Sequence, residues 1–304
     1  MDVVETRGLF KRYGAVEALR GVDLRVPEAS LFGFLGPNGA GKSTTIRILS
    51  GLLRGSAGAA RVLGYDAWRQ GPLARAEIGY LPGDVRFYDQ LTCGAYLRFV
   101  DSVRGAEAMS EGRRLAQRLG LELDKRVRAC SRGAKQKLGL IAAMMHRPRL
   151  LILDEPTTAL DPLVRHELFD ELRAVASDGR TVLFSSHTLA EVEELCSDVA
   201  IVRAGRVIEQ ASMRTLRARA LRHVEMSFQG AGPRAAPPAA LRVDRRRDGW
   251  LAGAWLGEVG PLIGWLSEQP VRDVSIAPPS LEDLFIAYYA PAGADARGAA
   301  DGAA

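Results

Sequence analysis

The chain has 304 residues, 47% apolar and 25% charged, enough to bury a core in one large domain or in a large domain beside a small one. Its net charge of +5 is scattered, apart from Arg245-Arg246-Arg247, which reads as a solvated loop, so no direct nucleic-acid partner is expected. No run approaches the roughly 18 apolar residues that span a bilayer, and the first residues carry no signal-peptide pattern. Cys93, Cys130 and Cys196 are far apart in sequence and lack metal-ligand spacing, which predicts reduced thiols in a cytosolic protein.

Residues 2–35 alternate and turn like short strands at Val3–Thr6, Ala18–Val26 and Leu31–Leu35. Lys11-Arg12-Tyr13-Gly14 lies between the first two, and the Tyr13 ring offers a π-face to a purine base. Next comes Gly36-Pro37-Asn38-Gly39-Ala40-Gly41-Lys42-Ser43-Thr44, which fits G-x-x-x-x-G-K-[ST]. An apolar strand precedes it and a helix start, Thr45–Leu49, follows, the context a phosphate loop requires. Glycines let successive N–H groups turn toward phosphate oxygens, and the helix N-terminus adds positive potential. Lys42 can reach the β- and γ-phosphates, and the Ser43 hydroxyl can ligate Mg²⁺. This is a nucleotide site.

After that helix, residues 55–64 read as a turn and a strand, and Ile78–Leu81 as another strand. From about 90 to 146 the pattern turns helical, which suggests an inserted subdomain. Arg149–Pro156 is a nearly continuous apolar strand ending in two acids. Carboxylates at that end of an open α/β sheet sit beside the phosphate loop. Asp154 is placed to hold Mg²⁺ through water, and Glu155 to orient or deprotonate an attacking water. A turn follows in which Asp161 precedes a helix opened by Pro162 and continuing over 163–177. Thr181–His187 is a third buried strand, whose closing His187 reads as a phosphate sensor. A helix over 188–196 and strands at Val199–Val202 and Arg206–Glu209 complete this part.

Taken together, these motifs resemble the ATP-binding subunits of ABC transporters over about residues 1–212. In that family's terms Tyr13 looks like the A-loop aromatic, 36–44 the Walker A loop, 150–155 the Walker B strand, Asp161 the D-loop aspartate and His187 the switch histidine. Cys130-Ser131-Arg132-Gly133-Ala134-Lys135-Gln136 occupies the place of the signature motif. The resemblance implies ATP with Mg²⁺ and a homodimer or paired ATPase subunit in head-to-tail contact. Ser131 and Gly133 would then complete the partner's ATP site. It also implies separate membrane-spanning permease subunits that the helical region at about 86–146 touches. The protein would act in the cytoplasm, peripheral to the inner face of the membrane. Two positions depart from the pattern: Gly83 stands where the family has a glutamine, and Arg132 replaces the first of two signature glycines.

From about 213 the texture shifts. Arg217–Arg222 reads as a basic helix end, His223–Phe228 as a strand, 229–240 as a linker-like loop, and Leu241–Val243 with Trp250–Trp255 as a hairpin. A helix over Gly260–Glu268 and a strand over Val271–Ile276 follow, with Trp250, Trp255 and Trp265 expected in a packed core. Ser280-Leu281-Glu282-Asp283 looks like a capping box opening a short helix through Tyr289, and this ending resembles the tails of ABC exporter subunits. The expectation is an α/β fold. It has a P-loop NTPase core of ABC ATPase type with an N-terminal antiparallel β-subdomain and a helical subdomain. A small α/β extension at 213–289 and a disordered tail at 290–304 complete it. The expected function is an ATPase subunit powering export. The alternatives are a soluble ABC-type ATPase acting on ribosomes or DNA and a poorly hydrolysing regulatory module.

Overall fold

The computed structural model describes residues 2–105, 107–219 and 221–279. Two compact units are present, Met1–Ala211 and a second from Ser212 onward. The first unit begins with β1 (Asp2–Tyr13), β2 (Val16–Pro27), β3 (Leu31–Leu35), α1 (Lys42–Leu49), β4 (Ala57–Val62), β5 (Tyr65–Asp66), α2 (Gly71–Ala76) and β6 (Ile78–Leu81). It continues with α3 (Cys93–Arg104), α4 (Met109–Arg118), α5 (Arg132–Met144), β7 (Leu150–Asp154), α6 (Pro162–Ser177), β8 (Thr181–Ser186), α7 (Leu189–Leu195), β9 (Asp198–Arg203) and β10 (Arg206–Ser212).

β1 and β2 form a long antiparallel pair in a sheet ordered β2-β1-β4-β5. β1 continues through Lys11 and Arg12 to Tyr13, so these residues are strand and not the connection expected from sequence. The second sheet is ordered β10-β9-β3-β8-β7-β6, with β3 parallel to both β8 and β9, and β7 parallel to both β6 and β8. Every residue of β7 and β8 is buried, as a parallel strand covered on both faces must be. Each buried Leu or Ile of β7 contributes about 1.5–3 kcal/mol, more than enough to fix the strand that delivers Asp154 and Glu155. The register sets Leu35 beside Ser186 and Asp154 beside Ser185, so the carboxyl ends of β3, β8 and β7 lie side by side. The helical region packs α3, α4 and α5 on one another, with α5 also against β6. Thr92 and Ser131 cap α3 and α5 by accepting from Ala95 N and Ala134 N.

In the second unit α8 (Met213–Arg219) is followed by β11 (Arg222–Phe228), β12 (Leu241–Arg247), β13 (Trp250–Trp255), α9 (Val259–Ser267) and β14 (Val271–Pro279). The basic segment around Arg217 is thus divided, its helix ending at Arg219 and Arg222 opening a strand. An antiparallel sheet ordered β12-β13-β11-β14 and α9 enclose Val224, Met226, Phe228, Leu251, Trp255 and Leu262. Trp265 packs against this core from its edge. Two sequence expectations fail here. Arg245-Arg246-Arg247 belongs to edge strand β12, paired with Ala252, Leu251 and Trp250. Trp250 lies outside the core, its ring flanked by the guanidinium groups of Arg245 and Arg247 at 5.6 and 5.9 Å from the centroid. The capping box at 280–283, the helix through 289 and the tail at 290–304 fall outside the described residues.

Candidate nucleotide site

The loop 36–44 joins β3 to α1 at the carboxyl end of the parallel sheet. Gly41 is the N-cap of α1 at φ 105°, and a Cβ there would lie 2.7 Å from Leu19 Cδ2 and 2.9 Å from the Ala18 carbonyl. Only glycine serves, and the constraint brings β2 against the loop. The loop is closed by Gly36 N donating to Ser186 O at 3.2 Å and Ala40 N donating to Pro37 O at 3.2 Å. The first-turn N–H groups of α1 have no helical acceptor, as at any helix start, and form the positive end of its dipole.

Lys42 is 5% exposed. Its Nζ donates to Gly36 O at 2.6 Å and Pro37 O at 3.3 Å, and lies 3.3 Å from Glu155 Oε1. The other carboxylate oxygen of Glu155 meets His187 Nδ1 at 2.6 Å, so the Nδ1–H donates to it. Lys42, Glu155 and His187, from α1, the end of β7 and the end of β8, therefore form one chain of polar contacts. Glu155 has φ 52°, a left-handed conformation uncommon for a residue with a side chain. Two contacts fix it: Glu155 N donates to Ser185 Oγ at 3.1 Å, and Gln136 Nε2 donates to Glu155 O at 3.4 Å and to Pro156 O at 3.0 Å.

Asp154 is 1% exposed, and its Oδ1 accepts from Ser185 Oγ at 2.7 Å. A Cβ placed on Gly83 would lie 3.4 Å from Asp154 Oδ2, so Gly83 faces this carboxylate with no side chain of its own. Ser185 and Gln136 are site residues that the sequence reading did not single out. The Ser185-Ser186 pair that ends an apolar run beside the two-acid strand was the available signal for Ser185.

Ser131 and Asp161 do not join this cluster. Ser131 Oγ accepts from Ala134 N at 3.2 Å and Asp161 Oδ1 from Val164 N at 3.0 Å, each capping its own helix. A Cβ on Gly133 would sit 2.6 Å from Ala159 O, so this glycine lets the N-terminus of α5 close on the turn that carries Asp161. Among the described residues no hydrogen bond or ion pair joins 131–133 to the loop 36–44. Arg132 is exposed at the first position of α5. Tyr13 is 44% exposed at the end of β1, with Lys11 Nζ 5.1 Å from its ring centroid.

The family model for ABC transporters matches residues 19–158. The daunorubicin/doxorubicin resistance ATP-binding protein DrrA of Streptomyces peucetius is 33% identical, over 93% of this chain and 91% of that one. The chain belongs to the ATP-binding subunits of ABC transporters. Nod factor export ATP-binding protein I of Rhizobium meliloti is 36% identical over 68% of this chain and 63% of its own. The solved structure of an ATP-binding subunit of an ABC transporter superposes with a TM-score of 0.66 at 31% identity, covering 71% of this chain and 92% of that one. The ABC subunit described here is an ATP-binding and hydrolysing cassette of the exporter type, on an α/β P-loop fold. Nothing in these relatives supports an ATPase acting on ribosomes or DNA. ABC cassettes dimerise and work with membrane-spanning transporter components. Among the described residues no helix is long and apolar enough to cross a membrane.

Proposed function

We propose that this subunit works as a homodimer at the inner face of the cell membrane, where ATP-driven closure powers export through a separate permease. The observation that carries the proposal is the contact chain Lys42–Glu155–His187, since it joins a phosphate-binding cation to a candidate base and its orienting histidine. Arriving β- and γ-phosphates would take the Lys42 amine from Glu155, because a polyphosphate offers more charge than one carboxylate. The freed carboxylate, still oriented by His187 Nδ1, then positions water for in-line attack. The loop N–H groups of 36–44 and the α1 dipole hold the phosphates, and Tyr13 stacks on the base. Ser131, Gly133 and Asp161 act across the dimer on the site of the second copy.

Mg²⁺ fits the oxygen donors present. Ser43 and Asp154 offer one hydroxyl and one carboxylate, the sparse hard-ligand set that leaves room for phosphate oxygens and water. Bound there, the ion would offset charge on the phosphates. Ser185 keeps Asp154 Oδ1 in place, and the bare Gly83 leaves the space beside Oδ2 open.

A groove of about 270 Å³ between β6, α3 and α5 offers a seat for a permease segment. Tyr80, Leu81, Phe87, Tyr96 and Val100 give it an apolar lining fit for a partner helix, with Arg104 at its side. The test is ATPase activity of the subunit alone and with its permease in vesicles. Stimulation lost on Val100→Glu supports the reading, and ATPase activity indifferent to the permease contradicts it.

A further inference from the structure

Cys93 and Cys130 are 37 residues apart in sequence, yet their Sγ atoms lie 3.5 Å from each other. Both thiols are free, and the third cysteine, Cys196, is buried elsewhere, against Gly33. The two partners differ in how firmly they are held. Cys93 opens α3 and is fully buried, its N–H donating to Lys125 O at 2.9 Å and the next N–H to Leu123 O at 2.7 Å. Cys130 follows a single 3₁₀ turn, Val127–Ala129, to which its N–H donates at Val127 O (3.1 Å), but it is partly exposed, with its thiol 3.5 Å from Arg126 O. The residue after it is Ser131, the cap of α5.

We propose that Cys93 and Cys130 are a redox-active dithiol whose reversible disulfide clamps the segment carrying Ser131 and thereby lowers ATP turnover. The effect on turnover rests on the reading of Ser131 as a donor to the second copy's ATP; formation of the bond does not.

Burial and the neighbouring Cys130 push the Cys93 thiol up to about 12, so Cys93 stays protonated and the accessible Cys130 meets the oxidant. With hydrogen peroxide, the Cys130 thiolate attacks one oxygen and the O–O bond breaks. The departing hydroxide takes a proton to become water and leaves Cys130 as a sulfenic acid. The Cys93 sulfur then attacks the Cys130 sulfur, the S–S bond forms, the S–O bond breaks, and the Cys93 proton leaves with the hydroxyl as a second water. In sum two thiols are oxidised to a disulfide and one peroxide is reduced to two waters. A disulfide of about 2.05 Å requires the sulfurs to approach by about 1.5 Å. Helix α3 pins Cys93, so the movement falls on Cys130 and on the neighbouring Ser131. Displacements of that size at a phosphate-contacting group cost rate rather than folding.

The test treats the full chain with hydrogen peroxide, then with dithiothreitol, following thiol content, tryptic peptides and ATPase activity. Free thiols should fall from three to one, a peptide linking Cys93 to Cys130 should appear, and turnover should drop about fivefold or more and return on reduction. Cys93→Ser, outside the signature segment, should keep its basal turnover and lose both the linked peptide and the response, whereas Cys196→Ser should keep all three. Peroxide that drives Cys130 to sulfinic acid without a linked peptide overturns the dithiol. A linked peptide with unchanged turnover overturns the switch. Ser131→Ala separates the two readings: full turnover in that variant would remove the trans-donor role, while its peroxide-linked peptide would leave the dithiol standing.

Discussion

At the carboxyl ends of β3, β7 and β8 the charged side chains find their partners within the chain. Lys42 faces Glu155, Glu155 faces His187, and Asp154 accepts from Ser185. At the N-terminus of α5 and the turn before α6 the pattern reverses. Among the described residues Ser131 and Asp161 bond only to the first turn of their own helices, and Arg132 stands exposed. Both regions present helix N-termini suited to phosphate. The difference is that one is a pocket whose candidate base and cation already touch, whereas the other is a capped surface that faces outward. A pocket and an outward-facing surface, each half of a phosphate site, are what a head-to-tail pair of copies would require.

The strongest way to break this comparison is to disable the pocket without emptying it. Glu155→Gln should lower steady-state phosphate release about 10²–10⁴-fold, since the candidate base is gone. ATP affinity, measured with a fluorescent analogue, should stay within a few-fold, because the amide keeps the shape beside Lys42. Next in size, Lys42→Ala removes the buried cation, and nucleotide affinity should fall about 100-fold, the loss of one strong charge-assisted interaction. Unchanged binding in that variant would mean that the loop amides alone hold the phosphates.

A smaller effect sharpens the comparison from the other end of α5, where His146 follows the helix. Burial first, and then the nearby Arg104 charge, lower its pKa to about 4. Its Nε2 lies 3.4 Å from Ile78 O, and its Nδ1 is buried. The folded protein keeps this imidazole neutral, while the unfolded chain takes up a proton below the ordinary value near 6.5. Stability is therefore fully present above about pH 6.5 and declines as pH falls toward about 4. The loss should be on the order of 2 kcal/mol, discounted for partial exposure. Unfolding free energies from urea titrations should fall by about 1 kcal/mol between pH 7 and pH 5 in the native chain and by less in His146→Gln.

The sequence was most legible where chemistry requires neighbouring residues. The loop 36–44 and the pair Asp154-Glu155 can be recognised because their spacing along the chain is their geometry. The strands that carry them were equally plain, since burial on both faces leaves an unbroken apolar run. Contacts across the fold were not legible. Ser185 reaches Asp154 over 31 residues, Gln136 reaches Pro156 over 20, and Cys93 reaches Cys130 over 37; no local pattern encodes those distances. β12 was missed in part for a related reason. Only Leu241 of that edge strand is buried, so its arginines carry no alternation and resemble a loop. The same arginines drew Trp250 out of the expected core by stacking on its ring.

The claim that the phosphate site is shared between two copies is tested most directly by mixing two inactive variants. Lys42→Ala removes the pocket, and Ser131→Glu places a negative charge where the donor should face the γ-phosphate. In a head-to-tail pair made of one copy of each, one of the two sites is intact. An equal mixture should therefore recover about a quarter of native ATP turnover, half of the dimers being mixed and each carrying one working site. Turnover that stays at the level of the separate variants would contradict the shared site.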